Sequence, residues 1–580
     1  MKQVPAVWSY RIPALSYPLD HDENSIRARA ARVLGVRQTD LASLHLDRRS
    51  IDARDKSAIR IVYAVTASLD KPLPRLPRGV SAGMAAQPYT FPFQIDRAAG
   101  MATGAGDGKA FKAANAARQA SGRPVIVGSG PAGLFCALML AEAGLAPLVL
   151  ERGDDVDARA KAIAGFWNGA ELDPESNIQF GEGGAGTWSD GKLSTSVNDE
   201  AGRNRRILEE FVAAGAPSEI LYASKPHIGT DRLRTVVSGI RRKIESLGGE
   251  VRFRSLATSL IIKNDRVQGV IVNGTERIEA AVVVLAIGHS ARDSYAALAS
   301  LGIPMEPKPF ALGLRVEHLQ EAISRSQYGA AWNHPALSAA DYKLTYQSGD
   351  GRGVYSFCMC PGGVVVNASS QPGMSVCNGM SDFARDARNA NSAIVASVRP
   401  DDFMGFAAPE GTGFPASVRK ILSGVFFQQH WERLAWLAGG GGSALPVQTL
   451  GGFMGGRGGA EGSGGRAPTA FGSVHPSATG GYRMAELESC LPGFVAASIR
   501  AAFPAFGRRI KGFDASDAIL TGVETRTSAP LRILRGQDLQ SSLKGLYPCG
   551  EGAGYAGGIM SAAIDGIRTA ESVASSLIPG

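Results

Sequence analysis

The sequence predicts an α/β protein in three parts: a core domain around a parallel sheet, an inserted α+β domain, and a small N-terminal α+β domain. Three observations carry this. Residues Pro124–Glu151 run as apolar strand, glycine turn, helix and apolar strand. Ala280–Ile287 is an unbroken apolar run ending at Gly288, the pattern of a strand covered on both faces. The same texture returns at Gly545–Ala570, after a long stretch of different character. The boundaries read from these changes are 1–95 for the leading domain, 96–122 for a linker, 123–307 for the first part of the core domain, 308–515 for the inserted, substrate-facing domain, and 516–580 for the return.

Composition suits a folded chain. The 580 residues are 44% hydrophobic and 20% charged, with 72 glycines. The net charge of +8 is modest for this length, and the basic residues of Leu233–Leu247 have no aromatic neighbours, so a nucleic-acid partner is not favoured. Six scattered cysteines do not read as a secreted disulfide framework, and a reducing cytoplasm is expected. The first residues have no uninterrupted apolar core, and no run reaches the roughly 18 apolar residues of a membrane span, so neither a leader nor a span is expected. No metal is expected either, since two neighbouring cysteines do not make a metal site.

In the leading domain Ser25–Leu34 reads as a helix, Asp40–Asp47 and Arg60–Leu69 as strands, and Ser50–Ile59 as a mixed-charge connection. Prolines stiffen Lys71–Arg78. Then comes Gly128-x-Gly130-x-x-Gly133. Gly128 makes a tight turn, Gly130 admits a pyrophosphate, and Gly133 lets helix and strand approach, with Pro131 and Ala132 at the helix start. Glu151 closes the second strand, where an acid accepts from the ribose diol of an unphosphorylated adenosine, and Arg152 follows it.

A second glycine-rich stretch, Gln179–Ser194, suits ligand wrapping by backbone N–H groups, with Gly183, Gly184, Ala185, Gly186, Thr187, Lys192 and Leu193 as the expected contacts. A helix and loop are expected at 154–176, and a helix at Leu233–Leu247. A strand begins at Gly249, and a hairpin turns at Asn264-Asp265. Ala286, Gly288 and His289 end the apolar strand where open α/β sheets bind ligands. The inserted domain reads as strands Ala311–Val316 and Gly363–Asn367, and as helices near Asp382–Val398 and Pro415–Leu437. Gly439–Gly465 reads as a loop or lid. The return carries Gly550, Glu551, Gly557, Gly558 and Ile559 at a second helix start.

Three segments together, the first glycine motif with Glu151, LAIGHSARD and PCGEGAGYAGGI, resemble the glutathione-reductase-type FAD fold. More narrowly, QFGEGGAGTWSDGKLST, KPHIGTD, CMCPGG and CGEGAGYAGGIMSAA resemble a bacterial and plastid family of FAD-dependent dehydrogenases. The resemblance implies FAD, with Gly550 and Glu551 at its ribityl chain and pyrophosphate. The C-x4-C pair of disulfide reductases, a second G-x-G-x-x-G and the W-x-W-x-I-P of halogenases are all absent. One dinucleotide site is therefore expected, with NAD(P)H at most a transient reductant. The expected function is an FAD-dependent oxidoreductase moving a hydride between FAD and a small organic substrate. A flavin monooxygenase and a non-catalytic or RNA-associated flavoprotein are the alternatives.

The candidates for chemistry are Cys358 and Cys360, which share a sheet face if the strand is regular, His227 as acid or base, and Arg526 as a carboxylate clamp, with Arg532 beside it. A salt bridge from Arg526 to Glu524 or Asp517 is the alternative. Cys549 and His289 read as positional.

Overall fold

The computed structural model describes residues 8–83, 88–93, 122–406, 408, 411, 413–455 and 471–578. Most of the expected 96–122 linker and the glycines after Gly455 lie outside them.

The leading residues form a four-stranded antiparallel sheet in the order Leu41–Asp52, Arg60–Leu69, Trp8–Pro18, Ser81–Gly83. The helix Ser25–Leu34 covers it with Ile26, Ala30, Ala31 and Leu34. The stretch read as a connection from Ser50 is still strand to Asp52, because Ile51 pairs with Ile61 and packs beneath the sheet.

The core is a parallel sheet of five strands, ordered Leu546–Pro548, Val283–Leu285, Val125–Val127, Leu148–Leu150, Glu250–Arg252. Its three central strands are fully buried, as continuous apolar runs require. The helices Pro131–Glu142, Thr230–Ser246 and Ile559–Leu577 cover one face. A three-stranded antiparallel sheet and the helix Arg292–Ser300 cover the other. Its hairpin turns at Asn264 and Asp265, both at positive φ (52° and 53°), as a two-residue primed turn demands.

The inserted residues build a seven-stranded sheet in the order Thr345–Gln347, Gly353–Cys360, Asn389–Val398, Phe310–Leu319, Ile519–Glu524, Leu445–Thr449, Tyr482–Met484. Three expectations change here. Asn389–Val398 is a strand rather than the C-terminal part of a helix. Its alanines recur at helical spacing, but it pairs along one edge with Phe310–Leu319 and along the other with Gly353–Cys360, and successive residues are buried on both faces. Leu445–Thr449, inside the tract read as a loop, is a buried strand, because Val447 packs with Ile519 and Leu445 with Val365 and Cys377. Ile519–Glu524 belongs to this sheet as an internal strand, so the sheet runs past the boundary placed at 515. The long helix Ala416–Ala438 begins at Pro415, which stands just outside it. No helix among the described residues is long and apolar enough to cross a membrane.

Candidate functional site

A cleft opens at the carboxyl ends of the parallel strands, where Val127, Leu150, Ala286 and Cys549 form its floor. The cleft holds about 1500 Å³ of empty space, its open mouth included. Its far wall is the inserted domain, through Phe357, Cys358, Asn378, Glu524, Arg526 and Thr527.

The first glycine turn is built by close contact. Gly128 sits at φ 102°, and a Cβ there would stand 2.3 Å from the Ala286 carbonyl oxygen. A Cβ on Gly133 would stand 1.9 Å from the Gly128 carbonyl oxygen, so Gly133 joins helix to strand and does not line the cleft. Gly130, Pro131 and Ala132 do line it. A Cβ on Gly130 would meet nothing nearer than the Gly184 Cα at 4.0 Å. No side chain caps the helix that starts at Pro131, so its first N–H groups face the cleft.

The second helix start lies beside the first, the helix Ile559–Leu577 packing against Pro131–Glu142 so closely that a Cβ on Gly566 would stand 2.2 Å from the Ala132 carbonyl oxygen. Gly558 and Ile559 line the cleft, and Ile559–Leu577 also lacks a side-chain cap. Gly557 turns away and donates to Ser561 Oγ (3.0 Å). Gly550 lies behind the wall, its N–H donating to Asp565 Oδ2 (2.7 Å). Asp565 also pairs with Arg535 at 2.7 Å, a brace that sequence reasoning missed because the partner lies far along the chain. Glu551 lines the cleft, and its Oε2 accepts from the Gly558 N–H (3.3 Å). Burial pushes its carboxyl up to about 7.

Glu151 lines the cleft as expected, but its oxygens are already engaged. It is 4% exposed, and its oxygens accept from Ser129 N (3.0 Å), Ser129 Oγ (2.6 Å), Gly153 N (3.0 Å) and Gly181 N (3.0 Å). A carboxylate has about four acceptor positions, so none is left for a ribose diol. Glu151 ties the two glycine stretches together. Arg152 lines the cleft but is paired with Glu175 and Asp293, both at 2.8 Å, and lies over the Phe180 ring.

The second glycine stretch divides. Gly184, Ala185, Gly186 and Lys192 line the cleft. Gly183, Thr187 and Leu193 do not. Gly183 packs on Thr187, whose hydroxyl donates to the Glu182 carbonyl (3.3 Å), and Leu193 is in the core. The KPHIGTD loop braces this stretch, with Leu193 N donating to the Pro226 carbonyl (2.9 Å) and Gly229 N to the Asp190 carbonyl (3.1 Å). His227 belongs to that brace rather than to the cleft. Its ring stacks on Phe383 at 5.2 Å, its Nε2 bonds the Phe383 carbonyl (3.1 Å), and burial lowers its pKa.

Gly288 and His289 line the cleft beside Gln179, a residue the motifs did not single out. Ser290 Oγ bonds His289 Nδ1 (2.9 Å) and donates to Gln179 Oε1 (3.0 Å). Burial, with Arg526 and Arg292 adding, brings the imidazole down to about 3, so it is neutral at ordinary pH. Tyr295 donates to the carbonyls of Gly288 (3.2 Å) and Gly552 (2.8 Å) and so joins the two late loops.

Arg526 reaches the cleft but is not free to clamp a substrate. Its Nε and one terminal nitrogen bond Glu432 (3.1 and 2.8 Å), and the other donates to Ser370 Oγ (2.5 Å). Glu432, on the long inserted helix, replaces the expected partners Glu524 and Asp517, and Arg292 grips it from the other side at 2.6 Å. Arg532 faces Glu306 at 3.4 Å on an open edge. Glu524 pairs instead with Arg315 at 2.8 Å. Cys549 is buried and accepts from Thr569 Oγ1 (3.3 Å).

The donor set fits FAD. Two uncapped helix N-termini face one cleft, the ready-made arrangement for a diphosphate. Gly130 leaves open the space that a backbone-to-phosphate approach needs.

The FAD binding domain family matches residues 123–351. A family described as the C-terminal domain-like part of FAD-dependent proteins matches residues 309–527, and a domain of unknown function matches residues 10–68. With the two open helix ends, these matches define the class: a flavoprotein of an oxidoreductase family, with FAD as its cofactor. The chain belongs to the same family as an uncharacterised protein of Clostridium beijerinckii, to which it is 45% identical over 97% of its own length and 98% of the relative's. Among solved structures, a flavin-dependent brominase is 14% identical, over 79% of this chain and 80% of that one, with a TM-score of 0.33. A glycine oxidase from Bacillus cereus is 11% identical, over 78% and 95%, with a TM-score of 0.32. Likeness at this level says nothing about this chain's substrate, and the FAD match does not single out the glutathione-reductase subtype.

Proposed function

We propose that this protein is an FAD-dependent dehydrogenase acting on a small organic substrate held between the glycine loops and the inserted domain. One observation carries the reading: the FAD-facing loops and the inserted domain close on one cleft, with Gly288, His289 and Glu551 on one side and Phe357, Cys358, Asn378 and Thr527 on the other. FAD supplies hydride transfer when bound.

The chain's own groups position and manage protons. The helix starts at Pro131 and Ile559 hold the diphosphate, and Gly130 and Gly184 keep its path clear. Glu551, near pH 7 in its titration, holds or gives up a proton at its free Oε1. The neutral His289 and the Arg292–Glu432–Arg526 cluster shape the wall beside it. That cluster carries two guanidiniums for one carboxylate, all nearly excluded from water, and so presents one net positive charge to an anion in the cleft. An anionic substrate or the anionic reduced cofactor would be stabilised there.

The test is anaerobic reduction of the purified protein with NADH and with NADPH, followed by a screen of organic oxidants. Rapid bleaching of the flavin by a nicotinamide and reoxidation by an organic acceptor, faster than by oxygen, supports the reading. Reoxidation by oxygen alone, with transfer of an oxygen atom to a substrate, replaces it with a monooxygenase.

A further inference from the structure

The strand Gly353–Cys360 changes face within one residue. Phe357 pairs with Ala393 and Cys360 with Asn391, so Cys358 and Met359 together stand opposite Ser392. Cys358 has φ 44°, in the left-handed region that residues with a Cβ rarely adopt. The extra residue resets the alternation. Met359 enters the apolar core with Leu314 and Ile394, while Phe357 and Cys358 both line the cleft. Backbone strain of this kind, placed in a cleft wall, points to a use.

The second cysteine stands directly behind the first. Cys360 is buried, and its Sγ donates to the Cys358 carbonyl (3.3 Å). Cations surround the pair. Lys192 Nζ bonds the Met359 carbonyl between the two cysteines, and Arg315 donates to the Cys358 carbonyl (3.2 Å). Lys192 and Arg385 share one carboxylate, Asp190 (3.2 and 2.5 Å), and Arg315 has Glu524. Lys192, Arg385 and Arg315 thus outnumber the carboxylates Asp190 and Glu524 that they pair with, a field that favours the thiolate form of Cys358. The thiol of Cys360, then Lys192 and Arg315, hold Cys358 below its ordinary value, and Cys360 is pushed up correspondingly.

We propose that Cys358 and Cys360 form a two-electron dithiol–disulfide couple that exchanges electrons with the flavin, and that Cys358 connects it to a small dithiol substrate. This rests on the FAD reading above. In the oxidising direction the Cys358 thiolate and the Cys360 thiol form an Sγ–Sγ bond. They lose two electrons and the Cys360 proton, all of which pass to the flavin. The substrate dithiol then attacks the protein disulfide at Cys358. Its own two sulfurs join, the protein pair regains two electrons and one proton, and the second proton leaves to solvent. The bulge gives Cys358 its access from the cleft, Cys360 behind it is the sulfur displaced when the substrate attacks, and the substrate's second sulfur resolves the mixed disulfide.

The experiment is an anaerobic dithionite titration of the preoxidised holoenzyme, with alkylation by iodoacetamide and peptide mapping of Gly353–Arg385 before and after reduction. The expected result is two two-electron equivalents per FAD in the parent and one in Cys358→Ser. Cys358 and Cys360 should be unlabelled in the oxidised parent and labelled after reduction, while Cys377 on the same peptide stays constant. Cys360→Ser should also fall to one equivalent, so a folding failure of one variant leaves the other to decide. One equivalent in the parent, with both cysteines alkylated in the oxidised enzyme and the flavin bound and reducible, overturns the couple while leaving the FAD reading intact. A protein that holds no flavin, seen in its visible spectrum before any thiol is counted, overturns both.

Discussion

Ser129 gives Glu151 two hydrogen bonds at once, one from its backbone N–H (3.0 Å) and one from its hydroxyl (2.6 Å). With Gly153 and Gly181 supplying the other two donors, this buried carboxylate fastens the first glycine turn to the second glycine stretch. Glu151→Ala is expected to strand these donors. Each unsatisfied buried group costs about 1–3 kcal/mol, so the apoprotein should lose roughly 3 kcal/mol or more. Urea unfolding of flavin-free protein checks this. A variant whose apoprotein is as stable as the parent, and which loses only FAD affinity, would restore the ribose-diol role.

Gly130→Val and Gly133→Ala are expected to fail differently. Gly130 has an ordinary φ of −68° and open space on its cleft side, so the valine variant should fold and lose at least about a hundredfold in FAD affinity by blocking the diphosphate. Gly133→Ala puts a methyl against the Gly128 carbonyl and should lower the stability of the apoprotein itself. Fluorescence titration with FAD and a thermal melt of each flavin-free variant separate the two.

Glu551 makes stability fall as pH rises. Its carboxyl is at about 7 in the folded chain against 4.5 as the ordinary value, so the folded state binds the proton more tightly. The penalty grows as pH rises from about 4.5 and is complete above 7. Glu551→Gln removes it. The flavin-free variant should match the parent near pH 4.5 and exceed it at pH 8 by an amount on the order of 2–3 kcal/mol. Urea midpoints at the two pH values decide, and an equal difference at both sinks the idea.

Arg526→Lys tests whether this residue is wall or clamp. Lysine cannot hold Glu432 and Ser370 together in the planar geometry of arginine. Loss of one partner from a buried ion pair costs about 3–5 kcal/mol, and Glu432→Gln should show that full size, with Arg526→Lys a part of it. A variant of unchanged stability with a raised KM for an anionic substrate would make Arg526 the clamp instead.

The sequence by itself determined the local units whose cause is local. Gly128 and Gly133 are required where strand, turn and helix crowd together, Gly130 keeps clear the space that a diphosphate needs, and both requirements are written in the residues. The apolar strand before Gly288, the hairpin at Asn264-Asp265 and the glycine-rich return at Gly550–Gly558 are equally local. Spacing misled where burial came from both sides: the alanines of Asn389–Val398 recur like a helix, yet neighbouring strands on either side hold them extended.

The tertiary structure alone decided which groups share the cleft and which are occupied. Glu151 looked available until Ser129, Gly153 and Gly181 filled its acceptors. Arg526 looked available until Glu432, far away in sequence, took it. A regular strand would set Cys358 and Cys360 alike and Phe357 opposite them, but one inserted residue brings Phe357 and Cys358 together on the cleft wall. Ion pairing and strand register are settled by residues distant in the chain, and hydrogen-bond satisfaction by the final turn geometry that brings Ser129, Gly153 and Gly181 onto one carboxylate, none of which a motif read along the chain contains.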